Sequence, residues 1–112
     1  MASRTFDCNK INRSFFNLTL KDGRKLVVKM PTKGTFDKMT MIQNMISDPE
    51  NDIDFSTGLE ALSEALSEGL SNNLNKEYIS KEYLSKEYDY EEQVILLNEY
   101  FGFIGSVSEE KN

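Results

Sequence analysis

Phe16-Asn17-Leu18-Thr19-Leu20-Lys21-Asp22-Gly23-Arg24-Lys25-Leu26-Val27-Val28-Lys29-Met30 is the stretch on which the fold turns. Phe16, Leu18 and Leu20 fall on one side of a period-two pattern, with Phe15, Asn17 and Thr19 on the other. After Asp22-Gly23, Leu26, Val28 and Met30 alternate with Lys25, Val27 and Lys29. Alternation on both sides of an Asp-Gly pair predicts a β-hairpin, because glycine supplies the positive φ of a tight turn. Two strands alone are marginal in water, so the hairpin must pack on helices or gain strands from another copy.

Downstream the period changes. Pro31 is expected to end the second strand and Thr35 to cap a helix. Phe36, Met39, Ile42, Met45 and Ile46 recur at helical spacing. Asp48-Pro49 stops that helix, since the residue before proline avoids the helical region, and 48–52 reads as an exposed acidic loop. A second helix is expected from about Ser56, with Leu59, Leu62, Leu66, Leu70 and Leu74 on its apolar face and Ala65 beside them. Gly69 should weaken it, and Asn72-Asn73 should fray or end it.

Residues 76–90 repeat with period five: Lys76-Glu77-Tyr78-Ile79-Ser80, Lys81-Glu82-Tyr83-Leu84-Ser85, Lys86-Glu87-Tyr88-Asp89-Tyr90. That period fits neither a regular helix nor a strand, and three copies are too few for a solenoid. The reading is a short helix around 81–87 between two caps, Ser80 and Asp89. Asp89 and Glu92 have the spacing of a capping box. Val94, Leu97, Phe101 and Ile104 then carry the last helix, widened by Tyr100 and Phe103. An arc this broad points to burial on more than one side. Gly105 is expected to close it.

The expected architecture is α+β, an N-terminal β-hairpin packed on a small bundle of three to four α-helices. Residues 1–13 are expected to form a flexible lead-in, 14–105 a single domain and 106–112 a disordered tail. Leu18, Leu20, Leu26, Val28, Met39, Met45, Leu97 and Phe101 are expected to share one core.

Composition narrows the chemistry. The 112 residues include no histidine, no tryptophan and one cysteine, with 13 basic and 19 acidic residues for a formal net charge of −6. Cys8 has no cysteine to bridge to and no histidine to activate it. The net charge argues against a general nucleic-acid binder or docking on anionic lipid. The longest strictly apolar run, Val94 to Leu97, is far short of the roughly 20 residues a membrane span needs. A soluble cytoplasmic protein is expected. Asp52/Asp54, Glu91/Glu92 and Glu109/Glu110 read as solvated faces or cap charges rather than as an acid–base pair. Asp48, Asn51, Asp52 and Asp54 lack the glycine and terminal glutamate of a calcium loop. Lys33-Gly34-Thr35 lacks the first glycine of a phosphate loop. The expectation is a non-enzymatic protein that uses no cofactor and no metal and works by contacts. The candidate interaction surface is Met41, Tyr78, Tyr83, Tyr100 and Phe103.

The order of pieces is itself informative. A strand–Asp-Gly–strand module ends in Met30-Pro31-Thr32 and is followed by an amphipathic helix. The helical middle then leads through Leu84 and Tyr88-Asp89-Tyr90-Glu91-Glu92 to Leu97-Asn98-Glu99-Tyr100-Phe101-Gly102-Phe103-Ile104. This arrangement, over roughly residues 14–105, resembles the tail assembly chaperones of long-tailed phages and prophages of Gram-positive bacteria. The resemblance implies a chaperone that coats the tape measure protein, helps recruit tail tube protein and leaves before the tail is complete. It further implies a homo-oligomer and a second, longer product made by ribosomal frameshifting near the end of the short reading frame. The alternative is a generic interaction adaptor in a bacterial or mobile-element complex.

Overall fold

The computed structural model describes residues 2–11, 13–48 and 54–110. Most of the expected acidic loop, 49–52, lies outside the described residues, as do Asn51 and Asp52 of the rejected calcium loop. The fold is α+β: an antiparallel hairpin followed by four helices, with a short 3-10 turn at Cys8–Lys10 ahead of them. The hairpin consists of β1 (Phe16–Thr19) and β2 (Lys25–Val28), in the register Phe16↔Val28, Asn17↔Val27, Leu18↔Leu26 and Thr19↔Lys25. Gly23 takes the φ of +93° that the turn requires. Leu20, Leu26 and Val28 are buried on the inner face, with Phe16 and Leu18 half-buried beside them. The pattern stops sooner than expected. β2 ends at Val28, and Met30 is exposed.

The outer edge of β2 is closed by the chain itself. Lys29 N–H donates to the Asn72 carbonyl (2.9 Å), Leu74 N–H to the Val27 carbonyl (2.9 Å) and Val27 N–H to Asn75 Oδ1 (2.8 Å). Val28 and Asn73 form an isolated antiparallel bridge. Residues 72–75 thus act as a short third rail, which no period-two signal announced. Leu74, expected on the second helix, lies on this rail and is exposed.

Helix α1 (Lys33–Ser47) starts three residues earlier than expected. Thr32, not Thr35, is the N-cap and accepts from Thr35 N–H, at a long 3.4 Å. Thr35 sits inside the first turn, and its hydroxyl donates to Glu68 Oε1 (2.9 Å), tying α1 to α2. Helix α2 (Phe55–Leu70) is capped by Asp54, which accepts from Thr57 N–H at 2.8 Å. Helix α3 (Lys81–Glu87) has the expected Ser80 cap, accepting from Tyr83 N–H at 3.0 Å. Helix α4 (Tyr90–Glu110) opens with a complete capping box. Glu92 N–H donates to Asp89 Oδ1 (2.8 Å), and Asp89 N–H donates to Glu92 Oε1 (2.9 Å).

Gly105 does not close α4, which continues to Glu110. Val107 is the reason. It follows Tyr100 by seven residues, so it stays on the buried side of the helix, and it is only 7% exposed.

The core is one cluster, with α2 at its centre. Leu62, Ala65, Leu66 and Leu70 pack with Leu20, Leu26, Val28, Met39, Ile42, Ile79, Leu84, Leu97 and Tyr100. Met45 and Phe101, expected in that core, flank it half-buried. Helix α4 is flanked on two sides. Phe16 of the hairpin stacks on Tyr100 (5.5 Å) and Phe103 (5.7 Å), and Phe36 of α1 meets Phe101 edge-on at 5.9 Å. One polar network is buried beneath it. Gln93 accepts from the Ser63 hydroxyl (2.7 Å) and donates to the carbonyls of Leu84 (3.2 Å) and Tyr88 (3.1 Å), so it fastens the α3–α4 connection to α2.

Candidate interaction surface

The five sequence candidates separate by burial. Met41 on α1 is 56% exposed and Tyr78, in the connection before α3, is 73% exposed. Neither ring nor hydroxyl of Tyr78 has a partner among the described residues. Tyr83 is half-buried, and its hydroxyl donates to Asp22 Oδ2 (3.1 Å) while Arg24 lies over its ring at 5.1 Å. Burial pushes its hydroxyl up to about 12. Phe103 is half-buried against Phe16. Tyr100 is a correction: it is 0% exposed, and its hydroxyl donates to the Lys29 carbonyl at 2.6 Å. Burial raises its pKa well above the ordinary tyrosine value. Tyr100 is a strut between α4 and the hairpin, not a contact surface.

The same strut explains Gly69. A Cβ built there would lie 2.9 Å from Tyr100 Cε2 and 3.6 Å from Met39 Sδ. The glycine that looked like a weak point of α2 is where helix, ring and thioether meet.

The ion pairs lie at the surface, some within one element or turn and others between elements. Lys21 pairs with Glu92 and also donates to the Glu87 carbonyl. Lys38 pairs with Glu68 (2.8 Å), Arg24 with Asp22 (2.9 Å) and Lys81 with Glu60 (3.0 Å). The hydrogen bond from Lys21 holds Glu92 below the usual carboxylate range, and the one from Lys38 does the same for Glu68. Lys21 and Lys38 are raised in return by those same bonds.

Among the described residues, two concave regions carry exposed apolar side chains. One, of about 280 Å³, lies where the end of α1 meets the starts of α2 and α4. Ile42, Met45, Ile46, Phe55 and Tyr90 supply its apolar wall, with Asp48 and Asp54 also lining it. Phe55 and Tyr90 are in ring contact at 5.1 Å, yet Phe55 is 65% exposed. The other lies at the hairpin end, lined by Cys8, Ile11, Arg13, Phe15, Lys29 and Leu74. Sequence periodicity missed both, because each is assembled from the ends of elements.

Among the described residues, no group of three or more Cys, Asp or Glu side chains is placed to hold a metal ion. No helix among them is long and apolar enough to cross a membrane. Compared with protein-family models, curated proteins and solved structures, the chain matches none.

Proposed function

We propose that this chain is a tail assembly chaperone of a long-tailed phage or prophage, a non-enzymatic protein of the bacterial cytoplasm that binds the tape measure protein and helps recruit tail tube subunits. The observation that carries the reading is the order of modules. A hairpin ending in Met30-Pro31-Thr32, an amphipathic helix and a broad C-terminal aromatic helix succeed one another as in the family the sequence resembles. Exposed apolar side chains support it. Met41, Leu74, Tyr78 and Ile95 each leave more than half of their surface in water, in a protein whose formal charge of −6 favours solubility. Such side chains suit shielding an apolar client segment, which binds helix faces through spaced anchors.

The test is co-expression with the tape measure protein encoded beside this gene. Copurification, and retention of the tape measure protein in the soluble fraction only when this chain is present, is expected. A tape measure protein equally soluble alone, with no complex formed, refutes the reading in favour of a generic adaptor.

A further inference from the structure

The two edges of the hairpin are treated differently. Beyond β2, the Val27 N–H and carbonyl are both bound by residues 72–75, through Asn75 Oδ1 (2.8 Å) and Leu74 N–H (2.9 Å). The Val27 backbone therefore points away from β1, and that of its register partner Asn17 points away from β2. Alternation carries Thr19 the same way. Lys21, next in that series, gives its N–H to the Tyr88 hydroxyl (2.9 Å), which stops the edge at that end. Asn17 and Thr19 are left with outward N–H and C=O groups that have no partner among the described residues.

The inner face is unfinished on the same side. In the pairs Phe16↔Val28 and Leu18↔Leu26 the β2 residues are 0% and 1% exposed, whereas the β1 residues are half-buried. A strand beside β1 would cover both. Edges that must stay alone are commonly blunted by charged side chains or proline. Asn17 and Thr19 are exposed and offer neither.

Charge says what kind of strand fits. Residues 13–29 hold Arg13, Lys21, Arg24, Lys25 and Lys29 against Asp22 alone. Lys21 and Arg24 are in ion pairs, but Arg13, Lys25 and Lys29 are in none among the described residues. Lys25 stands opposite Thr19. Arg13 and Lys29 line a cleft with Phe15, just before β1 begins.

We propose that the β1 edge receives an extended segment of a partner protein as an added strand, in which apolar residues alternate with acidic ones. The segment runs alongside Phe16 to Leu20, and its backbone exchanges hydrogen bonds with Asn17 and Thr19. Its apolar side chains lie on the inner face beside Phe16 and Leu18. Its carboxylates lie on the outer face, which carries Lys25 and Lys29. Recognition is by backbone and alternation, so it does not depend on which protein supplies the strand and stands apart from the tape measure reading.

The test uses the full chain, isotopically labelled, and a capped synthetic peptide of alternating valine and glutamate, followed by amide NMR and hydrogen exchange. In the free protein the Asn17 and Thr19 amides should exchange rapidly. The peptide should shift and protect both, more weakly in high salt. Thr19→Pro removes an outward donor while leaving the β1–β2 bonds in place, and should weaken binding about tenfold or more. Lys25→Glu with Lys29→Glu should also weaken it and should favour a peptide with lysine in place of glutamate. That surface variant keeps the test decisive if Thr19→Pro does not fold. A peptide of the same composition with its valines and glutamates in two blocks should not bind. An absence of change at Asn17 and Thr19 at millimolar peptide overturns the proposal. So does equal affinity for the block peptide, or binding unmoved in the folded variants. Protection of these amides that grows with protein concentration alone also overturns it, because a second copy would then fill the edge. Copurification with the tape measure protein is read separately, so either proposal can fail without the other.

Discussion

Replacing Gly69 with alanine sets two effects of opposite sign against each other. Helix propensity alone favours alanine over glycine in a helix interior by about 0.8–1 kcal/mol. Against this stands the Tyr100 ring, whose Cε2 would be 2.9 Å from the new Cβ. A flexible side chain would swing away. This ring is 0% exposed, stacked on Phe16 at 5.5 Å and held at its far end by the hydrogen bond to the Lys29 carbonyl. Overpacking a closed site costs about 1–3 kcal/mol, and a ring pinned at both ends belongs in the upper part of that range. The net expectation for Gly69→Ala is a loss of about 1–2 kcal/mol, or a Tm lower by about 4–8 °C for a chain of this size. Thermal and urea unfolding followed by circular dichroism read it directly. Tyr100→Leu, added to Gly69→Ala, should make the alanine neutral or favourable by freeing the space. A single Gly69→Ala variant melting at or above the parent refutes the close-approach argument, because propensity would then have won.

Other expectations follow from the same contacts. Tyr100→Phe should cost about 1–2 kcal/mol by leaving the Lys29 carbonyl without its tyrosine donor, and a parent-like urea midpoint would count against the strut. Phe101→Ala should cost less than the roughly 3–5 kcal/mol of an enclosed phenylalanine, because Phe101 is half-buried; a full-sized loss would mean the site is closed in solution. Truncation before Val107 should lower the melting temperature measurably, in contrast to the neutral effect expected of a disordered tail. The pH profile should be a plateau with two falling edges. Asp22, Asp54, Glu68 and Glu92 are all held below their ordinary values, so the stability they contribute is present above about pH 4.5 and lost as pH falls through their depressed values. Lys21 and Lys38 are raised, and Tyr83 is raised to about 12, so their contribution is present below about pH 10 and lost as pH rises towards 12. Glu68→Gln with Glu92→Gln should flatten the acid edge of a Tm-versus-pH series; an unchanged edge would place the acid sensitivity elsewhere.

Much of the fold could be read from local pattern. The hairpin register follows from alternation around Asp22-Gly23, and the starts of α3 and α4 from Ser80 and Asp89, whose side chains cap within three residues. What escaped depends on partners distant in sequence. Tyr100 extends an apolar arc on α4 and so resembled a surface anchor, but its hydroxyl finds a carbonyl 71 residues away. Gly69 could be judged only on propensity, since nothing in its neighbours reveals the distant Tyr100 ring. The five-residue repeat located α3 and its Ser80 cap but hid the differences among its tyrosines. Tyr78, Tyr83 and Tyr88 look equivalent in sequence, yet they are exposed, half-buried and buried in turn. Tyr88 accepts from Lys21 N–H at 2.9 Å. The two concave regions, each assembled from the ends of elements, had no periodicity to give them away.

The rail formed by residues 72–75 has a consequence for how this small sheet behaves in a crowded cell. Stacked β growth needs each chain to offer two open margins, one to receive a strand and one to present the next. Here the margin beyond β2 is occupied by Asn72, Leu74 and Asn75 through hydrogen bonds of 2.8–2.9 Å. Among the described residues, the margin left open is that of β1, where Asn17 and Thr19 are exposed. A hairpin with one sealed margin can be joined once and then offers no second margin, so three residues that no strand pattern would have singled out remove the open edge that continued β stacking requires.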